Sequence, residues 1–102
     1  MLKSLVGDDP ATIAEFLQDF RHSAASIAAE LTTAWNAGDL AGVGAAAHKL
    51  KSSSRAVGAL ALGELCARLE AAGKAGDGPA ITALVPEFSA GLAAVIAAID
   101  QH

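Results

Sequence analysis

Tyrosine is absent from this chain, and aromatic residues make up only 4% of it. Strand-favouring residues occur singly rather than in runs, which argues against a β architecture. The single cysteine, Cys66, excludes an internal disulfide and agrees with a reducing compartment. There is no basic stripe: seven Lys and Arg face eleven Asp and Glu, for a formal charge of −4. A nucleic-acid partner is therefore not expected, and an acidic, mixed surface suits a soluble cytoplasmic protein. No apolar run approaches the roughly 20 residues of a transmembrane helix, so no membrane insertion is expected. Met1 to Gly7 is too short and too polar for a secretion signal. A phosphate-cradling Gly-x-x-x-x-Gly-Lys-Ser/Thr loop is also missing.

What remains is alanine, leucine and helix punctuation. Hydrophobic residues are 53% of the 102 residues, enough for one packed domain over 1–102 and too few residues for two. Asp9-Pro10 reads as a helix start, with an aspartate cap followed by a first-turn proline. Ile13, Phe16, Leu17, Phe20, Ile27, Leu31 and Trp35 then form one helical stripe. That helix should close near Ala37 on a left-handed Gly38. Asp39 caps a second helix running through His48 to about Ala56, and Gly58 marks a sharp break. A third helix carries Leu62, Leu65, Cys66 and Leu69 and should end in the glycine-containing stretch 73–78. Asp77 or Gly78 caps a fourth, with Ile81, Leu84, Val85, Phe88, Leu92, Val95, Ile96 and Ile99 on one face. Pro86 predicts a kink or a late start there. Four amphipathic helices on short loops predict an all-α, antiparallel, up-and-down four-helix bundle, with room for a short capping helix at residues 2–7.

The chemistry lies between Ala45 and Glu70. On a wheel of about 100° per residue, Val43, Ala46, Ala47, Leu50, Ser53, Ser54 and Val57 share the core side. Ala41, Gly44, Ala45, His48, Lys51, Ser52 and Arg55 share the outer side, so His48 and Lys51 are expected to face solvent. The turns before His48 are stripped to small residues, which opens the imidazole to another protein's surface. Lys51 and Arg55 follow at i+3 and i+7, where they could hold an anion attached to the ring by charge-assisted hydrogen bonds. A phosphoryl group is such an anion, with roughly two negative charges near neutral pH by analogy with phosphoserine. Imidazole is a fitting carrier because its neutral form is a nucleophile near pH 7. An acceptor on the other ring nitrogen would orient it, and Glu70 on the adjacent helix is the leading candidate.

Blander roles suit the other polar residues. Lys49 sits about 100° round from His48 and reads as a rim contact, as do Gln18, Asp19 and His22. Ser53 and Ser54 fall on the core side and read as small packing residues, and no Asp is placed to complete a triad with His48 and a serine. His22, His48 and His102 lack any metal-ligand spacing. Gly63 reads as a close helix contact and Cys66 as core.

These residues resemble the histidine phosphotransfer (HPt) domain of multistep two-component relays. The pattern there is His-x-Leu-Lys, small residues, a Gly-Ala pair, then Cys-x-x-Leu-Glu. This chain reads His48-Lys49-Leu50-Lys51, Ser52-Ser53-Ser54, Val57-Gly58-Ala59 and Cys66-Ala67-Arg68-Leu69-Glu70. Ser52 stands where the family most often has glycine. The resemblance implies that His48 accepts a phosphoryl group on Nε2 from a receiver-domain aspartate and passes it to another receiver. It implies a monomeric phosphocarrier without an ATP site or cofactor of its own, with Mg²⁺ supplied by the receiver. Ala41, Gly44, Ala45, Lys49 and Ser52 would then form the docking surface. The partners implied are receivers of response regulators or hybrid histidine kinases. The stretch Leu2 to Pro10 is similar to the way such domains begin inside longer, often membrane-bound, kinases. A helical interaction module that docks a partner without phosphotransfer fits the same residues and remains the alternative.

Overall fold

The computed structural model describes residues 10–101. The expected helix at 2–7, the Asp9 cap and His102 lie outside the described residues. Four helices follow in order: α1 (Pro10–Asn36), α2 (Leu40–Ala56), α3 (Leu60–Ala75) and α4 (Gly78–Asp100). Their loops are two or three residues long, so successive helices run antiparallel in an up-and-down bundle.

Local chemistry sets the boundaries. The Asp39 side chain accepts from the Gly42 N–H at 2.9 Å, and Asp77 accepts from the Ala80 N–H at 3.1 Å. Each cap satisfies a donor the first turn leaves free. Gly38, Gly58 and Gly76 lie in the left-handed region, with φ of +73°, +82° and +67°. A Cβ is disfavoured there, so glycine permits each reversal. The third helix does not stop at Gly73 as expected. It continues to Ala75, and Gly73 is buried inside it.

α2 packs most extensively on α3, while α1 lies on α2 and α4 on α3. Phe20, Leu31, Val43, Leu50, Leu62, Cys66, Leu69, Ile81 and Phe88 build the centre of the core. Ala24, Ala46 and Ala47 keep the helix axes close. Arg21 on α1 donates to Asp100 on α4 through Nε at 2.8 Å and Nη2 at 3.2 Å. Phe16 departs from the expected stripe and is 49% exposed. At 27 residues α1 is about 40 Å long, against about 25 Å for the 17 residues of α2. Phe16 nonetheless lies level with the last turns of α2, where it lines a shallow hollow with Ser53, Ala56 and Val57.

α4 rules out the late start at Pro86. It starts at Gly78, not late, and continues through Pro86. Pro86 and Thr82 are on the exposed side, where the Thr82 carbonyl that loses its helical partner can bind water. Uninterrupted apolar runs are short, yet α4 as a whole is long and apolar enough to cross a membrane by length and composition. Ile81, Phe88, Leu92 and Ile99 are buried in the bundle, and the exposed side is largely alanine. That alanine raises the hydropathy of a helix whose large side chains serve the core.

Candidate functional site

His48 stands on the middle of α2 with its side chain 63% exposed. Its Nδ1 lies 2.9 Å from Oε2 of Glu70, which reaches across from α3. Lys51, one turn after His48, donates to the other carboxylate oxygen, Oε1, at 2.5 Å. Lys74, one turn after Glu70, stands 3.2 Å from Oε2. One carboxylate thus binds an imidazole and two ammonium groups, and its side chain is only 10% exposed. The Lys51 hydrogen bond, followed by those of Lys74 and His48, outweighs the cost of burial and pulls the Glu70 carboxyl down to about 2.

An ionised Glu70 can only accept hydrogen bonds. Nδ1 must therefore carry the proton in the neutral ring, which leaves the lone pair on Nε2 at the ring's far edge. The arrangement orients a histidine and selects its tautomer, as the carboxylate does in other His–carboxylate pairs. The ring stands over an open hollow of about 500 Å³ lined by Ala41, Gly44, Ala45, His48, Lys49, Glu70 and Lys74. Lys49 also pairs with Glu30 of α1 at 2.7 Å, bridging α2 to α1 at the rim.

Sequence-based expectations fare unevenly here. Glu70 reaches the ring, and Ala41, Ala45 and Ser52 are exposed. Lys51 does not face open solvent: its side chain is 22% exposed and tied to Glu70. Gly44 is buried, with Gly73 of α3 pressed against it. Both differences have one cause, since this flank of α2 is turned toward α3. Arg55 does not join the cluster. Its side chain lies over Gly63, where an added Cβ would stand 3.1 Å from Arg55 Cγ. That is seven residues, or about 10 Å, further along α2. Lys74 was missed, although its i+4 spacing from Glu70 places it on the same face of α3. Gln18 and Asp19 line a separate hollow on α1, and His22 is exposed. Cys66 is fully buried, and burial pushes its thiol up to about 11 against the pull of Arg55 and Lys51. Among the described residues no three His, Cys, Asp or Glu side chains gather as a metal site.

Residues 15–101 match the family model of the Hpt domain. No curated protein and no solved structure matches the chain.

Proposed function

The chain belongs to the Hpt domain family, whose members relay phosphoryl groups through a histidine and hold no ATP site of their own, and on that premise we propose that His48 is the phosphoryl carrier. The observation that carries this reading is the hydrogen bond from His48 Nδ1 to a Glu70 carboxylate also held by Lys51. It prepares Nε2 as the nucleophile on an exposed ring.

The step proceeds in line. The Nε2 lone pair attacks the phosphorus of a receiver aspartyl phosphate. The N–P bond forms as the acyl O–P bond breaks, and the receiver carboxylate leaves with the electron pair. The Nδ1 proton stays in place, so the ring gains positive charge beside the Glu70 anion, which stabilises it. Attack by a second receiver's aspartate on the same phosphorus reverses the step. Mg²⁺ on the receiver would screen the phosphoryl oxygens.

Lys51 and Lys74 are placed beside the ring to meet the incoming charge. Arg55, laid along Gly63, takes no direct part in this geometry. Ala41, Ala45 and Ser52 form the floor on which a receiver docks, with the buried Gly44 beneath it and Lys49 at the rim. Two lysines lining the hollow, Lys49 and Lys74, on a chain with net charge −4 favour an acidic partner surface there. Such complementarity raises encounter rate more than affinity. The setting that fits is cytoplasmic, as a monomeric unit alone or within a larger kinase.

Incubation with a phosphorylated receiver tests the assignment. Acid-labile label should appear on the wild-type chain and vanish in His48→Gln. Label that persists in His48→Gln moves the site elsewhere. No acid-labile label on this chain from any of several phosphorylated receivers would favour a docking module without transfer. Lys51→Ala should slow transfer while leaving the bundle folded.

A further inference from the structure

We infer that the Gly44–Gly73 crossing of α2 and α3 is a positioning device for the His48–Glu70 pair. Gly44 lies one turn before His48, and Gly73 lies three residues after Glu70, so the two glycines meet beside the ring and its carboxylate. A Cβ on Gly73 would stand 2.7 Å from Gly44 Cα, 2.7 Å from the Leu40 carbonyl oxygen and 2.8 Å from Gly44 N. All three are backbone atoms, so no side-chain rotation relieves the contact. Ordinary carbon contacts fall at about 3.5–4.0 Å, and the helices would have to part locally by roughly 0.7–1 Å. The His48–Glu70 bond, at 2.9 Å, has less slack than that. Glu70 is held by Lys74 from its own helix and by Lys51 from α2, so parting the helices pulls the carboxylate two ways and disturbs its bond to the ring.

Gly63 provides the contrast. It is on the same helix and also faces α2, but its missing Cβ points at Arg55 Cγ (3.1 Å) and Nε (3.5 Å). A long side chain can move aside there. Gly63 therefore serves as the control for a methyl added to the α2-facing side of α3 away from His48, and the ring signature separates positioning from packing. This deepens the phosphotransfer reading and rests on it for the rate. The ring's protonation state does not depend on that reading.

The test compares Gly73→Ala, Gly44→Ala and Gly63→Ala by ¹⁵N NMR of the His48 ring and by transfer from a phosphorylated receiver. Gly73→Ala should lose the hydrogen-bonded Nδ1–H signature and slow transfer by up to about 10²-fold, the scale of a 1 Å misplacement. Gly63→Ala should keep both. A folded Gly73→Ala with either the wild-type ring signature or the wild-type rate overturns the inference. Should Gly73→Ala fail to fold, Gly44→Ala is decisive, because its contacts of 3.2 Å to the Glu70 carbonyl oxygen and 3.3 Å to Gly73 Cα are milder. A wild-type ring in that variant overturns the inference equally. If the wild-type chain takes no label, the phosphotransfer reading falls, and the ring signature alone decides the positioning role.

Discussion

Replacing Ser54 with alanine should make this protein more stable. Ser54 is completely buried on α2, and its hydroxyl has no hydrogen-bond partner among the described residues. Its neighbour Ser53 is half-buried and donates to the Lys49 carbonyl at 3.4 Å, the usual outlet for a helical serine. Burying a hydroxyl without a partner costs about 1–3 kcal/mol in protein mutational data. Alanine also has the better helix propensity, by up to ~0.7 kcal/mol. Against these stands the lost dispersion of one oxygen, a handful of contacts at ~0.1–0.2 kcal/mol each. The net stabilisation is about 1–2 kcal/mol, which for a domain of this size raises Tm by roughly 5–15 °C. Ser53→Ala shares the propensity gain but removes no buried, unpartnered group, so it serves as the reference. Thermal unfolding followed by circular dichroism, with urea denaturation in parallel, measures the difference. If Ser54→Ala is no more stable than Ser53→Ala, the hydroxyl is satisfied in solution and the reasoning fails.

Three further outcomes are expected. The Glu70 carboxyl is lowered from 4.5 to about 2, chiefly by the Lys51 hydrogen bond, so its contribution to stability is fully present above about 4.5 and is lost as pH falls through about 2. The stability difference between wild type and Glu70→Gln should shrink across that window in denaturation series at several pH values; a difference that stays constant down to its lower end would refute the ion cluster. Leu50→Ala, at a fully buried position, should cost ~2–5 kcal/mol, while Leu60→Ala, at a position 68% exposed, should stay within ~0.5 kcal/mol in urea titrations. Comparable losses would mean that α2 or the start of α3 is turned from the arrangement described. Cys66, buried and with its thiol raised to about 11, should resist alkylation at mildly alkaline pH until the protein unfolds; prompt labelling of the native protein would contradict that burial.

Much of the site was legible because its chemistry is local. His48 and Lys51 are one turn apart on a single helix, and the Asp39 and Asp77 caps act within three residues. The Cys66-to-Glu70 motif named the helix that supplies the ring's partner. Lys74 carried no motif, and only the assumption that Glu70 faces α2 would have drawn attention to it. Gly73 looked like loop punctuation because a glycine-rich stretch usually ends a helix. Here its role is close approach, a property of two helices together.

The sequence by itself determined four helices, most of their ends, most of the inward face of each and the candidate histidine, because capping, turn conformation and hydrophobic periodicity act over three or four residues. Only the tertiary structure decided that Lys51 folds under rather than out, that Arg55 lies over Gly63, and that Gly44 is buried on Gly73. It also decided that Phe16 lies half-exposed at the edge of the α1–α2 contact. A wheel reports an angle around one axis. It cannot report which neighbour occupies that angle, how far two axes stand apart or how one helix is offset along another, and those three quantities place the Glu70 carboxylate on His48.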